Sequence, residues 1–462
     1  MNPKAIQESR IQLLNEKAVR KGAYVLYWMQ QSQRAEWNHA LEYGVGRANE
    51  LELPLVVGFG LTDAYPEANL RHYNFMLEGL QHTHQALAGR GIKLVLQLGD
   101  PAEVALGLAR KAAMVVCDCG YMRHQKAWRQ KVAEEAACSV VQVESDVVVP
   151  LAEVSLKSEY AARTIRPKIK WHLDEYLRPL RSLRLKSASL GLDIKGRSLD
   201  DRKALLGTLD LDETVPPVSR IFAGGTQHAK RKFSLFLKKR LRSYDANSNQ
   251  PQTDDISQMS PYLHFGQISP LYLALQARKA QGRNPEAVAS FLEELIVRRE
   301  LAMNFVNYTP DYDSYACLPN WARKTLADHR RDERPYRYSR SQLEDAATHD
   351  PYWNAAQREM RHTGFMHNYM RMYWGKKILE WTSSPQEAFE TTLAINNKYF
   401  LDGRDPNSFT GVAWIYGMHD RAWSEREIFG KVRYMAASGL ERKCDIQAYV
   451  SKVDKLVEQV TR

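Results

Sequence analysis

The 462-residue chain contains no C-x-x-C pair, and its five cysteines, Cys117, Cys119, Cys138, Cys317 and Cys444, are odd in number and scattered. This pattern argues against a disulfide framework and offers no zinc-ligand spacing, so no metal site is expected and a reducing, intracellular setting is. No apolar run approaches the about 20 consecutive residues that a membrane-spanning helix needs. The opening stretch MNPKAIQESRIQLLNEKAVRKG is polar and charged, unlike a secretory signal. Internal repeats and low-complexity tracts are also missing. No G-x-G-x-x-G follows the first apolar strand, which argues against a dinucleotide bound in the usual way of doubly wound sheets.

The composition is that of a soluble globular protein, 44% hydrophobic and 26% charged. The net charge of +11 suits a polyanionic partner such as nucleic acid, or else a solvated, arginine-rich surface. Ten Trp and 23 Tyr can fill a core, stack on bases or flavins, or carry electrons.

Five apolar runs, at 23–29, 54–61, 92–100, 112–118 and 138–145, alternate with helix-periodic segments. That rhythm predicts a doubly wound parallel sheet, with ligands at the carboxyl ends of its strands. From about residue 225 onward the pattern is helical. The expected organisation is an N-terminal arm (1–20), an α/β domain (21–150), a connection with some helix (151–224) and a larger all-α domain (225–462).

The stretch Ser257-Gln258-Met259-Ser260-Pro261-Tyr262-Leu263 places hydroxyls and backbone amides ahead of a helix, with Pro261 suited to its first turn. Such a segment is either a plain helix cap or an anion cradle. Its pattern, S-x-x-S-P-Y-L-x-x-G, resembles the flavin-phosphate segment of the photolyase and cryptochrome family. The domain order is also similar, and the resemblance runs from about Tyr24 to Tyr449. Four further motifs, beginning at His349, Arg371, Leu401 and His419, resemble the class II branch, the cyclobutane pyrimidine dimer photolyases.

The resemblance implies a catalytic all-α domain that holds FAD. Tyr244, Ser257, Met259 and Ser260 match residues that contact its phosphates and neighbouring groups. Arg371 and Asp402 match a salt-bridged pair beside the flavin ring, and Asn396 a residue near N5. Trp374, Trp353 and Trp381 match an electron relay running from inside to surface. Trp374 and Trp381, seven apart on one helix, share a face about 10 Å apart along the axis. Without the resemblance, such a stripe reads as core. Glu294, Arg298, Met372 and Trp414 match the lesion pocket. Trp423 and Arg433 match residues that fill the gap left by an extruded dimer.

Glu294 and Arg298, four apart, otherwise read as a solvent-side ion pair. The basic stretch 228–244 reads either as a phosphate contact or as a solvated helix face. Two departures from the family pattern stand out. Arg298 replaces a Trp found in many relatives, and Ser248 lies where other class II chains can carry Arg. The expected substrate is DNA bearing cyclobutane pyrimidine dimers, repaired by light through FAD. The enzyme is expected to be a monomer acting in the cytoplasm or nucleus. A cryptochrome-type photoreceptor is the alternative. A (6-4) photolyase would need His at Asn368 and Met372. A deazaflavin or folate antenna in the α/β domain is left open.

Overall fold

A computed structural model describes residues 6–280, 282 and 284–461. The first five residues of the expected arm lie outside these. Six strands form one sheet in the order β1-β6-β5-β2-β3-β4: β1 (Ile11–Leu13), β2 (Tyr24–Trp28), β3 (Leu55–Leu61), β4 (Lys93–Leu98), β5 (Ala112–Asp118) and β6 (Ser139–Val143). The five strands anticipated from apolar runs are the parallel ones, β2 to β6. Every residue of β2, β3 and β5 is buried, as expected for parallel strands covered on both faces. The arm contributes β1, which runs antiparallel to β6 and pairs Gln12 with Gln142. Ile11–Leu13 is too short and too exposed to announce itself as a strand.

Helices α1 (His39–Glu50), α2 (Leu70–Ala88), α3 (Pro101–Ala109) and α4 (Arg123–Glu135) connect the strands. Their starts follow local chemistry. Asn38 accepts the Leu41 amide to begin α1, and Asp100 caps α3 ahead of Pro101. The stretch 151–224 contains α5 (Leu151–Val154), α6 (Ala162–Tyr176) and a short helix at Arg202–Leu206.

Buried charges tie the sheet domain to the helices that follow. Arg71 on α2 donates to the carbonyls of Pro216, Met360, Tyr399 and Arg361. Arg34 bridges Asp146 and the Gly266 carbonyl. The Glu300 carboxyl group accepts the amides of Val148 and Val149 through one oxygen. The two buried guanidinium groups persist because each is met by partners, and with the Glu300 contacts they fix one arrangement of the two parts.

Three capped helices carry the sequence motifs. Asp350 accepts the Tyr352 and Trp353 amides to start Pro351–Thr363, and Gly364 ends that helix at φ +71°. His367 caps Asn368–Trp381, and Asp405 caps Pro406–Ile415. Part of what marks the motifs in the sequence is therefore helix-start chemistry.

Candidate active site

Trp353, Trp374 and Trp381 form one buried stack in the helical core. The Trp353 and Trp374 rings lie 6.5 Å apart and nearly parallel at 10°, and Trp353 meets Trp381 at 5.6 Å, edge to face. Trp353, from the neighbouring helix, bridges the two tryptophans of Asn368–Trp381. Its indole donates to the Trp374 carbonyl, and the Trp374 indole donates to Gln357 Oε1. Trp381 was expected at the surface, yet it is only 2% exposed. Tyr338 and His349 cover it, each 5.3 Å from its ring. Tyr338 hydroxyl and His349 Nδ1 are 2.6 Å apart, and Tyr336, half exposed, stacks on His349 at 3.7 Å. Periodicity along one helix could not reveal a cover supplied by a separate segment, 336–349.

At the other end of the stack, Arg371 lies one turn before Trp374. One guanidinium nitrogen of Arg371 donates to both Asp402 oxygens at 3.0 Å, and the group rests over Phe400 at 3.9 Å. Phe400 in turn touches Trp374. Asn396 is buried and donates to Ser408 and Asn397. Gln258, at φ +54°, turns the chain between Ser257 and Met259. The short helix Ser260–His264 that follows has no side-chain cap. Among the described residues, the hydroxyls of Ser257 and Ser260 have no protein partner. Met259 and Tyr244 are buried, Tyr244 edge-on to Phe236 and Phe291.

The helix carrying Glu294 is π-helical from Glu293 to Arg298. A π-turn brings residues five apart together, and Arg298 accordingly pairs with Glu293 at 3.4 Å. The α-helical spacing that pairs Glu294 with Arg298 does not apply here. Glu294 is exposed at its tip, with surrounding protein close on the other sides. Burial raises its carboxyl pKa, against the pull of Arg298.

Met372 and Trp414 are half-buried, and Ser248 follows the helical turn Tyr244–Asn247. Trp423 is exposed, with Arg421 and Arg433 at 5.0 and 5.2 Å from its ring. The basic stretch 228–244 is not simply a solvated face. Arg231, Lys232 and Arg240 line a cleft of about 1170 Å³ with Arg220, Lys452 and Lys455. Burial lowers the Lys232 pKa to about 8. The cleft also reaches Gln258 and Phe365, and Phe365 contacts Arg371.

A second pocket lies between the carboxyl ends of β2 and β3 and the helical region. Phe59, Tyr65, Tyr73, Trp128, His264 and Arg404 line it. Its sheet half follows the strand-end rule, while His264 and Arg404 could not be assigned to it from local pattern.

A family model described as DNA photolyase matches residues 25–184. The chain is 52% identical over 455 residues to the deoxyribodipyrimidine photo-lyase of Methanothermobacter thermautotrophicus, covering 98% of this chain and 100% of that one. It is 41% identical over 468 residues to that of Oryza sativa, covering 98% and 91%. A crystal structure of a class III photolyase from Agrobacterium tumefaciens superposes with TM-score 0.74 at 18% identity, over 94% of this chain and 87% of that one. The match to Arabidopsis thaliana cryptochrome-2 is 28% identical and covers 34% of the chain. An α/β sheet joined to a helical domain with a buried tryptophan stack defines a photolyase-like architecture. The chain belongs to the DNA photolyase family, whose members bind FAD.

Proposed function

We propose that the chain is a class II deoxyribodipyrimidine photo-lyase that reverses cyclobutane pyrimidine dimers in DNA with light. One observation carries this reading. The buried Trp381–Trp353–Trp374 stack leads through Phe400 to the Arg371–Asp402 pair.

The residues fit FAD. Two unpartnered hydroxyls, Ser257 and Ser260, flank a tight turn that can face phosphate oxygens, and a cationic cleft adjoins it. Held there in its reduced form, FAD would supply the photoexcited electron that opens the dimer's cyclobutane ring. Arg371 places positive charge where reduced flavin is negative, and Asp402 holds that guanidinium in place. Asn396 offers an amide near the ring, oriented by Ser408 and Asn397. Glu294, whose carboxyl pKa burial raises, would in its protonated form donate a hydrogen bond to a pyrimidine carbonyl as negative charge develops there. Met372, Trp414 and the Arg298 plane wall the extruded dimer, while Trp423 and Arg433 enter the gap it leaves. The three tryptophans would relay an electron inward from a solution reductant that refills the outermost of them, returning the cofactor to its reduced state.

Residues 225–462 form the catalytic unit in this scheme, 21–150 carry the antenna and 151–224 join them. The aromatic pocket at the ends of β2 and β3, lined by Phe59, Tyr65, Tyr73 and Trp128, would hold a planar antenna chromophore, deazaflavin or folate. The enzyme acts as a monomer wherever the cell keeps its DNA. The test is to illuminate the FAD-loaded, reduced protein with a dimer-bearing oligonucleotide and follow loss of the dimer. Intact dimers after prolonged illumination of protein with full reduced FAD would overturn the proposal.

A further inference from the structure

Helix α6 buries Ala162, Ile165, Ile169 and Tyr176 and turns a different face to solvent. Trp171 stands on that face, 85% exposed, with Arg163, Pro167, Lys168 and Lys170 also exposed. The open indole leaves both ring faces free to stack on a partner. Tyr160, just ahead of the helix, is half exposed. Among the described residues, Arg163 and Lys170 have no ion-pair partner, whereas Lys168 meets Glu159 and Arg166 meets Glu293. Asp174 and Glu175, also exposed, lie one turn beyond Lys170 and Trp171, so the positive charge of the face is concentrated toward its Arg163 end.

The position of α6 gives this face its meaning. Arg166 grips Glu293 with two nitrogens at 2.7–3.0 Å, next to Glu294. His419 Nδ1 donates to the Tyr160 carbonyl at 2.7 Å, which anchors the segment that carries Trp423. The helix therefore packs beside the Glu293–Glu294 turn through Arg166, with the segment ahead of it tied to His419. Arg163 to Trp171 spans about 12 Å at the helical rise, equal to roughly three or four nucleotides of a strand.

We propose that the outer face of α6 is a second DNA-contact surface, beyond the lesion pocket. Arg163 and Lys170 bind backbone phosphates, and Trp171 stacks on a base left unpaired beside the extruded dimer. This rests on the repair function proposed above. The chemistry matches, since cations alternating with an open aromatic face suit a strand that is polyanionic outside and flat at its bases.

The test compares FAD-loaded wild type with Trp171→Ala and with the double variant Arg163→Gln/Lys170→Gln. All three positions are exposed, so folding is not at stake. Binding is measured by anisotropy to a dimer-bearing duplex of about 20 base pairs, long enough for the span above, and to a dimer-bearing tetranucleotide too short to reach it. Loss of one stacked base predicts about 10-fold weaker duplex binding by Trp171→Ala, with the tetranucleotide unaffected. Two lost phosphate contacts predict a salt slope shallower by about 2 for the double variant. Repair yield at saturating DNA stays at the wild-type level in both. Unchanged duplex affinity and salt slope, or equal losses on both DNAs, would overturn the inference. Wild type that binds neither dimer-bearing DNA would instead sink the repair function itself.

Discussion

The Trp353 indole donates to the Trp374 carbonyl at 2.9 Å while the two rings stack at 10°. One hydrogen bond thus fixes both the contact between two helices and the ring geometry. Trp353→Phe loses the bond and the middle ring. Light-driven reduction of oxidised FAD is expected to stop, while pre-reduced enzyme continues to repair. Removing a buried indole should also cost about 1–3 kcal/mol of stability, measurable by urea unfolding. Wild-type photoreduction in a folded variant would remove Trp353 from the relay.

Trp381→Phe is expected to block photoreduction in the same way. Its burial under Tyr338 and His349 adds a further expectation. The Lys377 ammonium, 5.8 Å from the Trp381 ring, is neutralised by its pair with Glu380, and Tyr338 lies edge-on to the same ring. Tyr338 can pass its phenolic proton to His349 as it gives up an electron. Tyr338→Phe should therefore leave oxidation on tryptophan and lower the net yield of reduced FAD. Transient absorption distinguishes tyrosyl from tryptophanyl radicals, and identical traces for variant and wild type would contradict this role.

The parallel strands were legible because β2, β3 and β5 are buried on both faces and read as continuous apolar runs. The tryptophan positions were legible through motif resemblance, and their helix starts through Asp350, Pro351 and Asp405. Two features escaped. The π-turn at Glu293–Arg298 has no composition that betrays it, so α-helical spacing paired Arg298 with the wrong carboxylate. The cover over Trp381 comes from the segment 336–349, whose contact with the helix core is purely tertiary.

Glu294 should set a pH limit on repair. Burial raises its carboxyl pKa above the ordinary value, so the protonated, hydrogen-bond-donating form persists at lower pH and disappears as pH rises through the raised value. The quantum yield at saturating dimer is expected to fall on the alkaline side. Glu294→Gln, which keeps a donor, should flatten that fall, while Glu294→Ala should lower the yield at every pH with FAD content unchanged. A pH profile identical in wild type and Glu294→Gln would remove the carboxyl from the chemistry.

Glu300 makes the folding stability pH-sensitive. One of its oxygens accepts the Val148 and Val149 amides at 2.6 and 3.1 Å, while the other, buried, has no partner in the described structure. Burial is the largest influence and pushes the carboxyl from an ordinary 4.5 to about 8, helped by Glu144 and opposed by the two amides and Arg10. Between those values the folded protein holds a proton that the unfolded chain has released. Stability is therefore fully present below the unfolded value and falls with rising pH, by about 1.4 kcal/mol per pH unit for one proton. Above about 8 both states are ionised and this contribution levels off. Glu300→Gln keeps an oxygen for the two amides and cannot ionise, so it should remove that slope. Glu144, also pushed up by burial, contributes in the same direction in both proteins, so the informative quantity is the difference in slope. Urea unfolding at several pH values from 5 to 9, followed by far-UV circular dichroism, measures it. Equal slopes for Glu300→Gln and wild type would show that Glu300 is ionised in the folded protein and that its buried charge is balanced by its neighbours.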